Sequence, residues 1–310
     1  MSTDPESRDN YGPYLPNIGS RCPATKRLIP FDDIETLEAA FSAHGDRVAA
    51  FLVEPIQGEA GIVVPEENYL QRVRALCDKF HVLLICDEIQ SGIARTGKLL
   101  CHEWSGIKPD MVLLGKAISG GMYPVSCVLA SKDVMLTVEP GTHGSTYGGN
   151  PLGCAVAIRA LEVIRDEQLV SRADYLGKLF RRGLENLVNP IIKSVRGKGL
   201  FNAMVIDETK TGGHSAWDLC MLMKEKGLLV GRALKIAHVK DFGVADVTKA
   251  KPTHQDIIRL TPPLVITEEQ IYTALKIIES ALNEIPMLSG KKEDQIIPPG
   301  EKNVTVNVEN

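Results

Sequence analysis

The chain has 310 residues, room for two domains of about 150 residues each or one large α/β unit. With 44% apolar and 24% charged residues, it is excluded from the collagen-like, coiled-coil and wholly disordered classes. A net charge of -4 leaves no electrostatic footprint for nucleic acid or an anionic membrane. The longest apolar runs, Val82–Cys86 and Met111–Leu114, are far too short to span a bilayer.

In chain order, residues 1–30 are proline-rich and irregular. Val48–Val53 reads as a compact strand, and Tyr69, Leu70, Val73 and Leu76 share one face of a helix that runs to Lys79. Val82–Cys86, Met111–Leu114 and Val125–Ala130 are further apolar strands of the kind buried in a parallel sheet. Strand–helix–strand order predicts a doubly wound α/β sheet. Near residue 150 the texture changes. Asn150-Pro151 opens a small-residue helix with proline in its first turn, and Leu176–Leu187 forms a second. Val195–Ile206, broken by Gly197 and Gly199, reads as two short strands. Thr267 and Gln270 form a capping box for a last helix bearing Ile271, Ala274, Leu275 and Ile278. From Met287 the Lys/Glu/Pro/Asn-rich tail is predicted to be disordered.

The seven cysteines are odd in number, and no two have CxxC spacing. Most lie in apolar strings, so a disulfide framework or zinc site is not expected and a reducing compartment fits. The acidic first residues carry no apolar signal core and no Arg-rich leader. His102 and His143 have no partner at metal-ligand spacing and are read as packing or loop-bonding residues; no metal is expected.

Ligands of open α/β sheets bind beyond the carboxyl ends of strands. Here those ends carry Glu54–Gly61, Asp87–Gly92 and Gly115–Gly121. Lys116 follows a buried strand directly; it is either a turn lysine or an amine poised for Schiff-base chemistry. Asp87 is either a helix cap or a catalytic acid. Together, 29 residues apart at two strand ends, they match the needs of pyridoxal phosphate. That cofactor takes a lysine on its aldehyde and a carboxylate on its pyridine nitrogen.

The strings IQGEAG, CDEIQSGIARTGK, KPDMVLLGKAISGGMYPVS and THGSTYGGNPLG resemble class III pyridoxal phosphate aminotransferases. IARTGK, LGKAISGG with YPVS, and AKPTHQDIIRLTPPL are most similar to the ornithine-specific branch. The likeness covers residues 2–229 and 250–284. It implies the type I fold of pyridoxal phosphate transferases, with an incomplete large domain over residues 1–165. A smaller α+β domain follows over residues 166–286, with a tail from residue 287. It implies that Lys116 holds the cofactor and shuttles the proton, and that Asp87 pairs with the pyridine nitrogen. Gln90 would bond the ring hydroxyl, and Ser145 and Thr146 the phosphate of a partner subunit's cofactor. Arg259 would bind the α-carboxylate of glutamate or 2-oxoglutarate, with Glu59 masking it while ornithine presents its δ-amine. A homodimer or higher oligomer follows, with small-molecule substrates, no nucleic acid and no membrane. Acetylornithine or 4-aminobutyrate specificity is the nearest alternative.

Two departures from the family pattern are expected to matter. The match starts abruptly at Met1, and the family's preceding region carries the phosphate-cradling turn and the aromatic that stacks on the ring. The chain therefore reads as truncated, and a catalytically inactive fragment is the rival reading. Localisation reads as cytoplasmic, or the mitochondrial matrix if a leader lies in the missing part. Secondly, the 20 residues Val230–Lys249 resemble nothing in the family. A valine codon begins GT and one lysine codon ends AG, so the segment reads as a retained intron; the alternative is a surface-loop insertion.

Overall fold

A computed structural model describes residues 19–22, 25–228, 250–252 and 256–288. The expected insertion and residues 289–310 of the expected tail lie outside the described residues.

The first sheet contains β1 (Ala50–Val53), β2 (Leu83–Asp87), β3 (Met111–Leu114) and β4 (Cys127–Ala130), in that spatial order. The first three are parallel, with Ala50 opposite Leu83 and Asp87 opposite Leu113. Strand starts are set by competing local bonds. Val48 N–H is taken by Gly45 O in a short turn, and Val82 N–H by Cys77 O at the end of the helix Tyr69–Phe80. Pairing therefore begins two residues and one residue, respectively, inside the apolar runs.

Two features differ from a doubly wound sheet. The described strands run in sequence order without a reversal, and β4 is antiparallel to β3. A parallel return needs a crossover of about a dozen residues or more, usually a helix. Here Lys116–Ser119 makes only one 3-10 turn, and Gly120 and Gly121, at φ 61 and 82, turn the chain straight back. β4 lies at the edge of the four described strands, and Val128 and Leu129 stand about half exposed.

An unanticipated helix, Ile34–His44, is capped by Asp33, which accepts from Thr36 N at 2.8 Å. It packs with Tyr69–Phe80 over β1 and β2 through Leu37, Phe41, Val73 and Leu84. The helix Pro151–Asp166 begins as predicted, with Asn150 accepting from Gly153 N at 2.8 Å.

The second sheet is antiparallel, in the order β5 (Ile192–Lys198), β6 (Phe201–Ile206), β8 (Ile257–Leu260) and β7 (Ala250–Pro252). Helices Leu169–Glu185, Ala216–Glu225 and Glu268–Glu284 share its core through Phe180, Leu184, Met204, Leu219, Met223 and Ile278. The predicted capping box is formed: Thr267 N donates to Gln270 Oε1 at 2.9 Å and Gln270 N to Thr267 Oγ1 at 3.2 Å. β8 is paired on both sides, so Arg259 is not an edge-strand charge.

The loop after β2 meets this second sheet directly. Arg95 donates to Leu200 O at 3.1 Å and Pro262 O at 2.6 Å, while Leu200 N returns a bond to Arg95 O. Burial lowers the Arg95 guanidinium to about 10, which leaves it charged at neutral pH. No helix among the described residues is long and apolar enough to cross a membrane.

Candidate active site

Three parallel strand ends and one strand of the second sheet build the candidate site. After β1 the chain turns through Glu54–Gly61 and is closed by paired backbone bonds between Gln57 and Val63, at 3.1 and 3.0 Å. Inside this turn Glu54 Oε2 accepts from Gly58 N at 2.9 Å. Asp87 ends β2, and its Oδ1 accepts from Ile89 N at 3.0 Å. Lys116 lies two residues past the end of β3, beside β2 in the sheet. It takes φ 43, a left-handed conformation that costs a non-glycine residue about 1 kcal/mol or more.

Arg259 reaches this cluster from β8. Its side chain is buried; Nη1 donates to Glu59 Oε1 at 3.1 Å, Gly58 O at 3.3 Å and Gln90 Oε1 at 3.4 Å. Nη2 donates to Glu59 Oε2 at 3.4 Å, which makes the contact a two-pronged fork. The predicted Glu59–Arg259 pair is therefore formed, and Gln90 joins it. Burial is the main force raising the Glu54 carboxyl above its usual range, opposed by the Gly58 N–H and reinforced by the charges of Asp87 and Glu59. Glu54, Asp87 and Glu59 thus form an acidic cluster, of which Glu59 pairs with the Arg259 guanidinium.

The unspent groups at the strand ends match the chemistry of pyridoxal phosphate. Among the described residues, the exposed Lys116 amine, Asp87 Oδ2 and Gln90 Nε2 have no hydrogen-bond partner. They offer a nucleophile for an aldehyde, an acceptor for a protonated ring nitrogen and a donor for a ring hydroxyl. Ser145 and Thr146 lie apart from them on an exposed loop, where Ser145 Oγ accepts from Gly148 N at 2.9 Å. A family model described as aminotransferase class-III matches residues 2–282. The chain belongs to the class III aminotransferases.

Relatives of this family agree in sequence and in shape. An ornithine aminotransferase of Emericella nidulans is 66% identical over 310 residues, covering 100% of this chain and 64% of that protein. A crystal structure of the ornithine aminotransferase from Toxoplasma gondii ME49 superposes with a TM-score of 0.77 at 40% identity, covering 92% of this chain and 61% of the other. The acetylornithine aminotransferase of Elizabethkingia anophelis gives 0.72 at 49% identity, with 83% and 62% covered. The chain thus spans a little under two thirds of the length of these class III relatives. Their type I fold is the fold of this chain.

Four site-supporting residues escaped sequence reasoning: Glu54, Gly58, Glu88 and Arg95. Glu88 is fully buried and accepts from Cys101 N at 2.7 Å, His102 N at 2.8 Å, His102 Nδ1 at 2.9 Å and Ser91 Oγ at 3.1 Å. It gathers the loop that follows Gln90, and the expected loop-bonding role of His102 is seen here. A cue was present for Glu54, which follows β1 directly and is the third acid at these strand ends with Asp87 and Glu59. A concavity of about 410 Å³ lined by Lys98, Trp104, Gln168 and Asp174 contains none of the site residues. Among the described residues, no cluster of three or more His, Cys, Asp or Glu is placed to hold a metal.

Proposed function

We propose that this chain supplies the cofactor lysine and the substrate-sorting ion pair of an ornithine aminotransferase. The reaction moves the δ-amino group of L-ornithine to 2-oxoglutarate, giving glutamate 5-semialdehyde and glutamate, and so links arginine catabolism with proline biosynthesis. The observation that carries this reading is the Glu59–Arg259 fork at 3.1 Å beside the ends of β1 and β2.

Pyridoxal phosphate, when bound, supplies an electron sink for the carbon that loses a proton. Lys116 Nζ is assigned to hold its aldehyde carbon and then to move that proton from the amine-bearing carbon of the substrate. Asp87 Oδ2 keeps the ring nitrogen protonated, and Gln90 Nε2 donates to the ring hydroxyl. Arg259 binds the α-carboxylate of glutamate or 2-oxoglutarate through its fork. While ornithine occupies the site, Glu59 neutralises that fork, so a buried cation never faces a substrate amine unpaired. One site then accepts a diamine and a dicarboxylate in turn.

Ser145 and Thr146 are assigned to the phosphate of a partner subunit's cofactor, in a homodimer. The exposed apolar side chains Met122, Leu136, Tyr147, Leu152 and Ile158, which flank Ser145 and Thr146 in the chain, support a partner contact in this region. All seven cysteines are free, which supports a reducing compartment, and we assign the cytoplasm.

The test is reconstitution of the chain with pyridoxal phosphate, followed by visible absorption spectroscopy. A protein-linked chromophore that is absent in Lys116→Ala is the expected result. Its bleaching by L-ornithine in preference to N-acetylornithine identifies the donor. A chain that never develops the band is an inactive fragment, and the proposal fails.

A further inference from the structure

Gly58 is held on three sides at once. Its N–H is bound by Glu54 Oε2 at 2.9 Å, and its carbonyl accepts from Arg259 Nη1 at 3.3 Å. Its bare Cα lies against the Gln90 amide, where a Cβ would stand 2.6 Å from Cδ. The Glu54 carboxylate therefore closes the turn on which two of the acceptors of Arg259 are mounted, Gly58 O and Glu59.

Those acceptors are not equivalent. The Glu59 side chain is 37% exposed and extends from the turn, so it can swing away when a substrate carboxylate arrives. Gly58 O is backbone, and Gln90 is packed against Gly58; both are neutral and stay in place. With Glu59 displaced, they are the acceptors among the described residues that remain to aim the guanidinium.

We infer that Glu54 is a positioning residue for dicarboxylate recognition: through Gly58 it fixes where the Arg259 fork points once Glu59 has left. The inference rests on the reading of Arg259 as the dicarboxylate receptor. It also opposes what charge alone predicts. Glu54 is a carboxylate in an already acidic cluster, so as a mere charge its removal should strengthen anion binding. As a positioning group, only loss of its hydrogen bond should matter. Glu54→Gln removes the charge and keeps an acceptor for Gly58 N–H, whereas Glu54→Ala removes both.

Two measurements on the full 310-residue chain decide the matter. Glutarate, a non-reacting five-carbon dicarboxylate, is titrated by calorimetry, and the Gly58 amide and Arg259 guanidinium resonances are followed by NMR. Glu54→Ala is expected to weaken glutarate binding about tenfold, the scale of one charge-assisted hydrogen bond, and to shift both resonances. Glu54→Gln is expected to bind glutarate at least as tightly as wild type and to keep the Arg259 resonance in place. An unmoved Arg259 resonance in Glu54→Ala overturns the inference, as does tighter glutarate binding by both variants. Arg259→Ala separates the two levels. If it leaves glutarate binding unchanged, the receptor assignment is wrong, and the Arg259 resonance in Glu54→Ala still decides whether Glu54 positions the guanidinium.

Discussion

Glu59 and Arg259 are 200 residues apart in the chain and 3.1 Å apart in the fold. One sits on a turn after β1 and the other in a strand paired on both sides, so the pair also pins the first sheet to the second. Arg259→Ala is expected to lower kcat/KM for 2-oxoglutarate about 30-fold or more, because truncating a buried paired charge costs roughly 2–5 kcal/mol. Glu59→Gln should do the reverse, tightening dicarboxylate binding while raising the KM for ornithine. Half-reaction kinetics with ornithine and with glutamate check both directions.

The pH dependence of stability should carry the signature of Glu54. Burial raises its carboxyl in the fold above its unfolded value. Between those two values the folded state binds more protons, so stability falls as pH rises through that window and then levels off. Glu54→Gln should therefore be more stable than wild type at neutral pH. The gap should close as pH falls below the ordinary carboxylate range. Thermal melts of both proteins from acid to neutral pH test this.

Much of the scaffold was legible because its causes are local. Met111–Leu114 is a continuous apolar run bounded by Pro109-Asp110 and Gly115, and it is β3 without adjustment. Thr267 and Gln270 lie three residues apart and cap the same helix end they announce. The supporting groups of the site were hidden for the opposite reason. Glu88 serves backbone amides thirteen and fourteen residues away, and Arg95 serves carbonyls 105 and 167 residues away. An acid or a cation in a loop carries no mark of a distant backbone partner. The Glu59–Arg259 pair was legible only through family resemblance, since nothing local joins positions so far apart.

Gly177 marks a point where the helix Leu169–Glu185 touches the β5–β6 turn. A Cβ there would lie 1.8 Å from Gly199 O, and one at Gly199, itself at φ 55, would lie 2.3 Å from Thr96 C. The opposing atoms are backbone and cannot rotate away. Gly177→Ala is expected to destabilise the fold by about 1–3 kcal/mol through overpacking, despite the better helix propensity of alanine. Urea denaturation with an unchanged slope and a lower midpoint is the expected result.

Glu88→Gln tests the buried acceptor. A carboxylate can accept from all four donors around it, whereas a glutamine turns an NH₂ group toward at least one N–H. Leaving a buried donor unmet costs about 1–3 kcal/mol. The chain should lose stability by that amount, and proteolysis should open first within residues 91–104. Equal stability of Glu88→Gln and wild type would mean that the four donors do not depend on the carboxylate.

Cysteine reactivity reports on the proposed dimer face. Cys22, Cys77, Cys86, Cys101 and Cys220 are buried, and burial pushes the thiols of Cys77 and Cys101 up to about 12, so these five should resist alkylation in the fold. Cys154 is exposed and shares a helical face with Ile158 and Leu161 at i+4 and i+7, both apolar and exposed. A partner seated on this face must cover the thiol. Its alkylation rate should therefore fall as protein concentration rises through the dimer dissociation constant, while Cys154→Ser abolishes the fast phase. A fast phase that persists unchanged at concentrations where sedimentation shows a dimer would place the subunit contact elsewhere and remove the support for Ser145 and Thr146 acting across it.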